Sequence, residues 1–197
     1  KQQKLLFSSH RIIWNITNEC GYKCDICATH DENRKELSLE DKLKVLQSIL
    51  TIRDRIGMLD FAGGDPCKSH ESLLIIQEAI YALGAERVSI TTTGDGINSL
   101  DASKRKALLY QCEITVDIEH QGNTKFIKRA AQGYVETNID QLVTYGDDTQ
   151  RITINMPIIH TDLNDNEIKN IVLEIEKIKN ANRNAKIYVS FLRLMPV

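Results

Sequence analysis

Six short apolar runs alternate along this chain with longer stretches whose apolar residues recur at helical spacing. Residues 11–16, 58–62, 87–92, 113–118, 151–156 and 186–193 read as strands, bounded by turn residues or polar clusters. Between the first two, Ser38 can cap a helix that carries Leu43, Leu46, Ile49 and Leu50 on one face, with Gly57 as its stop signal. A second helix is capped near Ser69 and ended at Gly84, a third spans residues 102–110, and Gly133 breaks a region whose second half, residues 134–145, is helical. The last carries Ile168, Ile171, Val172, Ile175 and Ile178. Strands that alternate with helices imply parallel pairing, because each crossover helix returns the chain to the same end of the sheet. Six such units are too few for a closed eight-stranded barrel.

Bulk properties narrow the class without naming a function. A length of 197 residues, 42% hydrophobic and 26% charged, suits one domain with a sizeable core. Net charge is -2 with no long basic run, so nothing advertises nucleic-acid binding. No apolar stretch approaches the roughly 20 residues that span a bilayer. Five cysteines without a signal-peptide pattern argue against a disulfide framework and for a reducing, cytoplasmic compartment. The chain starts at Lys1 and stops at Val197, just past a strand-like run, and is expected to be part of something longer.

Three of the five thiols fall in one loop directly behind the first strand, Cys20-Gly-Tyr-Lys-Cys24-Asp-Ile-Cys27. Two metal chemistries satisfy this spacing. With His30 the set becomes Cys3His, a tetrahedral zinc site. Without it, three thiolates can hold a [4Fe-4S] cluster and leave one iron without a protein ligand, open to a small molecule.

Other groups with chemical potential also stand at strand ends. Gly63-Gly64-Asp65-Pro66 follows the second strand; its glycines permit close backbone approach, and strand-end carbonyls can accept from an ammonium group. Thr92-Thr93-Gly94 ends the third strand, and Thr115-Val-Asp117 lies in the fourth. Hydroxyls at Thr92 or Thr115 can bond a ribose or a carboxylate. Arg129, followed by Gly133, offers a guanidinium fork suited to a carboxylate, and Asn155 interrupts an apolar strand. Cys67 reads as structural. His30, His70, His120 and His160 read as surface or packing histidines, so no catalytic residue is assigned.

Together these motifs resemble the radical S-adenosylmethionine (radical SAM) superfamily. The C-x3-C-x2-C loop matches its signature, Gly63 to Pro66 is similar to its GGEP motif with aspartate for glutamate, and Thr92-Thr93-Gly94 falls where many members carry Thr-Asn-Gly. The Thr-x-Asp strand, Arg129 with Gly133, and residues 191–197 look most like the branch with a cysteine-rich, SPASM/twitch-like C-terminal extension. The resemblance covers the whole chain and implies one radical SAM core domain over residues 1–197, a partial (β/α)6 TIM-like barrel of parallel strands. It implies a [4Fe-4S] cluster on Cys20, Cys24 and Cys27. S-adenosylmethionine would lie against Ile26, Gly63, Gly64, Asp65, Pro66, Thr92, Thr115, Arg129 and Asn155, with Ile26 flanking adenine where relatives mostly carry an aromatic. The implied reaction is reductive cleavage of S-adenosylmethionine to a 5'-deoxyadenosyl radical that takes hydrogen from a substrate. A one-electron donor of the flavodoxin or ferredoxin kind is implied too, and the substrate is a peptide or protein, or else a small metabolite such as a sugar, nucleoside or cofactor precursor. A noncatalytic zinc module on the three cysteines and His30 is the competing reading from a different class.

Overall fold

The computed structural model describes residues 10–21, 35–101, 103–104, 113–117, 119–120, 126–127, 151–158, 169, 172–173, 176, 180 and 186–193. Strand β1 (His10–Thr17) is followed by helix α1 (Leu39–Leu50), β2 (Ile56–Gly63), α2 (His70–Leu83), β3 (Val88–Thr92) and the short α3 (Asp95–Ser99). Then come β4 (Glu113–Asp117), β5 (Glu119–His120), β6 (Phe126–Ile127), β7 (Arg151–Ile158) and β8 (Lys186–Arg193). Six strands form one sheet in the order β1-β2-β3-β4-β7-β8, every neighbouring pair parallel. Sequential order with parallel pairing is the wall of an open, partial barrel, as the alternating pattern implies. The expected strands are present within a residue or two at their ends, and the last matches at both.

Each helix starts and stops for a chemical reason. Ser38 caps α1 by accepting from the Asp41 amide at 3.2 Å, and Ser69 caps α2 by accepting from the Ser72 amide at 3.4 Å. Gly84 ends α2 with φ 89°, a conformation that favours glycine. Gly57 is not the stop of α1. That helix ends at Thr51, a 3-10 turn over Arg53–Arg55 follows, and Gly57 lies inside β2. Of the helices expected after β3, only residues 103–104, 169, 172, 173, 176 and 180 are described, all helical. Val172 is 42% exposed there, so it stands off the buried side that the spacing assigns to it.

The two faces of the sheet differ in kind. Ile16, Leu59, Phe61, Val88 and Ile90 are buried against Leu46 of α1 and Ile75, Ile76, Ala79 and Leu83 of α2. Trp14 and Phe61 meet with ring centroids 5.7 Å apart at 39°. Burying such side chains contributes about 1.5–3 kcal/mol each, which makes this face the source of cohesion. On the opposite face the buried Asp60 accepts from Ser89 Oγ at 2.8 Å, Thr91 Oγ1 at 3.2 Å and Arg11 Nη2 at 3.3 Å. Ile13, on that face of β1, is 64% exposed. A parallel sheet covered on both faces reads as continuous apolar strands. The alternation along Leu59-Asp60-Phe61 and Val88-Ser89-Ile90-Thr91 instead marks this face as the inner wall of the partial barrel. Among the described residues no helix is long and apolar enough to cross a membrane.

At the foot of the next helical stretch, Asp101 Oδ1 accepts from Ser103 Oγ at 2.6 Å and from the Lys104 amide at 2.9 Å. The Ser103 hydroxyl first, then the Lys104 amide, hold the Asp101 carboxyl down to about 2, against an ordinary 3.8. Because the folded value is the lower one, this cap stabilises the helix start above the ordinary carboxyl range and is lost as pH falls toward 2. A carbon-detected side-chain titration should place the Asp101 midpoint near that value; a midpoint near 4 would mean that the cap does not form in solution.

Candidate metal centre

The approach to Cys20 is fixed by backbone hydrogen bonds from the end of the neighbouring strand. β1 pairs with β2 up to Thr17, which lies opposite Gly63. Beyond that point the Gly64 amide donates to the Thr17 carbonyl at 2.7 Å and the Asp65 amide to the Glu19 carbonyl at 2.6 Å. Gly63 has φ 117°, and a Cβ there would meet the Thr17 carbonyl oxygen. A Cβ on Gly64 would fall on the Glu19 carbonyl oxygen and lie 2.7 Å from its carbon. The crowding that requires two glycines thus comes from the protein's own segment 17–19. Cys20 follows immediately and is exposed.

Asp65 is fully buried, and its carboxylate accepts four hydrogen bonds. Oδ1 takes Thr92 Oγ1 at 2.7 Å and the Cys67 amide at 3.2 Å, while Oδ2 takes Thr93 Oγ1 at 2.7 Å and the Gly96 amide at 2.9 Å. All four donors are uncharged. The carboxylate therefore ties the turn after β2 to the end of β3 and the start of α3. Gly96 is required by the same closeness, since a Cβ there would lie 2.8 Å from Asp65 Oδ1 and 2.7 Å from the Cys67 carbonyl carbon. Pro66 and Cys67 are buried beside it, in keeping with a structural Cys67.

Glu36 meets the same segment from the far side of the cysteine loop. Its Oε2 accepts from the Asn18 amide at 2.8 Å, and its Oε1 accepts from Lys42 Nζ at 2.7 Å. Burial alone would raise the Glu36 carboxyl, but the bonds from Lys42, the Asn18 amide and the Thr17 hydroxyl outweigh it and leave the group lowered from its ordinary value. The Glu19 amide in turn donates to Thr17 Oγ1 at 3.0 Å. A small cleft of about 20 Å³ lies between residues 15–18 and residues 35–37, room for about one water.

Several of the residues singled out in the sequence come together here. Gly63, Gly64, Asp65, Pro66 and Thr92 form one cluster at the carboxyl ends of β2 and β3. Thr92 is 2% exposed, on the side of β3 that also buries Val88 and Ile90. Its hydroxyl gives its proton to Asp65 and accepts from the Gly94 amide at 3.0 Å. That donor serves the turn rather than the inner wall, where Thr91 faces Asp60. Thr115, the middle residue of β4, pairs in register with Thr91 and Thr153, and Asn155 pairs with Asp117 and Ser190, level with the carboxyl end of β4. His70 is exposed at the first position of α2. Cys24, Cys27, Ile26, His30 and Arg129 lie outside the described residues.

Sequence reasoning passed over Thr17, Glu36, Lys42 and Gly96. Lys42 did leave a trace: it falls in the apolar stripe of α1 with Leu39, Leu43 and Leu46, a position where a charge must have a partner.

The donor set suits an iron-sulfur cluster. Cysteine thiolates are its usual protein ligands, and Cys20 is presented at a strand end, exposed, behind a segment whose backbone is already held. Comparison with known proteins gives the same chemistry. No curated protein matches the sequence. Among solved structures, Streptococcus suis SuiB bound to precursor peptide SuiA superposes with TM-score 0.63 at 12% identity, covering 94% of this chain and 40% of that one. SuiB bound to S-adenosylmethionine gives TM-score 0.65 at 12% identity, with 97% and 42% covered. Native anSMEcpe with bound AdoMet and Cp18Cys peptide gives 0.57 at 15% identity, with 93% and 50% covered. This chain therefore spans 40–50% of the length of these structures, and at such identity the likeness is one of fold. Residues 10–139 match the family of 4Fe-4S single cluster domains, which is about two thirds of the chain. The chain belongs to that family of single-cluster domains, and it is folded as the radical SAM enzymes are, with Cys20 just past the carboxyl end of the first strand of a partial barrel.

Proposed function

We propose that this chain is the cluster- and S-adenosylmethionine-binding barrel of a radical SAM enzyme that modifies a peptide. The observation that carries the reading is the clamping of residues 17–19 by the Gly63 to Asp65 turn, which presents Cys20 at the rim of the polar wall. When bound, cluster and cofactor supply one-electron chemistry that removes a hydrogen atom from an unactivated position. Cys20, Cys24 and Cys27 hold the cluster. The carbonyls of the turn after β2 receive the cofactor's ammonium, Thr115 and Asn155 bond its ribose and carboxylate, Arg129 pairs with the carboxylate, and Ile26 flanks the adenine. Asp65 and Thr92 act one step back, by keeping the turn in shape. Asp60, Ser89 and Thr91, bonded to one another, make the inner face of β2 and β3 polar below that site.

A peptide substrate is supported by two of the superposed structures, which hold SuiA and the Cp18Cys peptide respectively. A small metabolite is the alternative on the same chemistry. The electron donor is a flavodoxin- or ferredoxin-like protein, the compartment is reducing and cytoplasmic, and a cysteine-rich extension would supply the cover over the substrate.

Anaerobic reconstitution tests the reading. About four irons and four sulfides per chain are expected, with a paramagnetic signal on reduction that changes when S-adenosylmethionine is added. Cys67→Ser should leave the iron content intact. Stoichiometric zinc without labile sulfide would replace this reading with the zinc module. Product formation from a small metabolite but from no peptide encoded beside the gene would keep the chemistry and overturn the substrate.

A further inference from the structure

Lys42 is 0% exposed, and among the described residues two carboxylates reach it, one from the segment before α1 and one from α2. A fully buried ammonium is costly unless it is paired, so this lysine is unlike the exposed pairs on α1, whose worth is small. It bonds Glu36 at 2.7 Å and stands 3.5 Å from Glu71, so the hydrogen bond belongs to Glu36. The other oxygen of Glu36 does nothing for α1. It accepts from the backbone amide of Asn18, 18 positions earlier in the sequence. Between those two residues lies the whole cysteine loop.

We infer that Glu36, held by Lys42, is the clasp that closes the base of the cysteine loop and so sets where Cys20 meets the cluster. The inference rests on the reading that this loop holds the cluster. The chain enters the loop through residues 17–19, whose carbonyls at 17 and 19 are fixed by the turn after β2. That leaves the exit. Ser38 fixes the start of α1, and Glu36, two residues before it, joins exit to entrance through the Asn18 amide and the Thr17 hydroxyl. Closing a loop once, at its base, removes the conformational freedom that three thiolates would otherwise have to lose together on binding. Glu36 is thus a positioning residue, acting through Asn18 on Cys20.

The test compares wild type with Glu36→Ala, Glu36→Gln and Glu71→Gln by two readouts. One is amide exchange at Asn18 in the metal-free protein; the other is the rate at which a chelator strips iron from the loaded protein. Glu36→Ala should speed both by about tenfold or more, the size of one charge-assisted hydrogen bond. Glu36→Gln keeps an acceptor oxygen on the same stem and should restore part of the protection. Glu71→Gln should behave as wild type. The clasp is overturned if Asn18 exchanges equally in wild type and Glu36→Ala, or if Glu71→Gln loses iron as fast as Glu36→Ala. Failure of Glu36→Gln to restore any protection counts against it as well. Should the wild-type loop take up no cluster while Asn18 still answers to Glu36→Ala, the clasp stands and the cluster reading falls.

Discussion

Gly64→Val is expected to cut the iron held after reconstitution by about tenfold or more while leaving the sheet folded. The side chain has nowhere to go, because the first carbon beyond Cα already collides with the Glu19 carbonyl. Backbone, unlike the tip of a long side chain, yields only by moving as a unit. Relief therefore means parting the 2.6 Å bond between the Asp65 amide and Glu19, next door to Cys20. Overpacking of this sort costs about 1–3 kcal/mol, and each 1.4 kcal/mol is a factor of ten in binding. Here the cost falls on the state in which the thiolates converge. Metal analysis, with circular dichroism as the check on folding, decides it. Full iron content with an unaltered paramagnetic spectrum would show that segment 17–19 does not govern the thiolates.

Asp65→Ala should produce the largest loss of stability of any single change near the site. It takes the carboxylate away from two hydroxyls and two amides, and of these four bonds only the one from Thr93 is part-exposed. Removing one member of a buried, fully bonded polar group costs about 3–5 kcal/mol. At roughly 2–4 °C per kcal/mol for a chain of this size, the thermal midpoint should fall by about 10 °C. Asp65→Glu, which would restore the usual residue of the GGEP motif, should also destabilise, because Gly96 and Cys67 leave no room for a further methylene. A cycle with Thr92→Val gives the sharper measurement. The two changes share one hydrogen bond and should be less costly together than the sum of each alone. Strict additivity, or an Asp65→Ala midpoint within a degree or two of wild type, would remove Asp65 from its place at the centre of the turn.

What the sequence disclosed and what it withheld divide along the range of the interactions. The strands were legible because alternation with period two is local, and Ser38, Ser69 and Gly84 announce helix ends by their own chemistry. Gly57 misled for a related reason: a glycine marks a break in helix, but Thr51 and the turn over Arg53–Arg55 had already provided one. The five-residue α3 and the antiparallel pair β5 and β6 carry too few residues for any period to show. In the site, the glycines and Asp65 were found, but their partners were not. Three of the four donors to the Asp65 carboxylate lie 27 to 31 positions away, and Gly63 and Gly64 are answered by the backbone of residues 15–19. Thr92 illustrates the same limit, since its side of the strand could be counted off from Val88 and Ile90, whereas its bond to Asp65 could not.

The division of the sheet into an apolar outer face and a polar inner one bears on how such a protein can change over generations. Leu59, Phe61, Val88 and Ile90 bind the strands to their helices, while Asp60, Ser89 and Thr91, on alternate residues of the same strands, look the other way. Neighbouring codons thus answer to different demands. Drift at the outward positions is checked by packing against the helices, whereas drift at the inward ones is checked by the bonds that Asp60 makes with Ser89, Thr91 and Arg11. A lineage built this way meets a packing constraint and a hydrogen-bonding constraint on alternate residues of one strand.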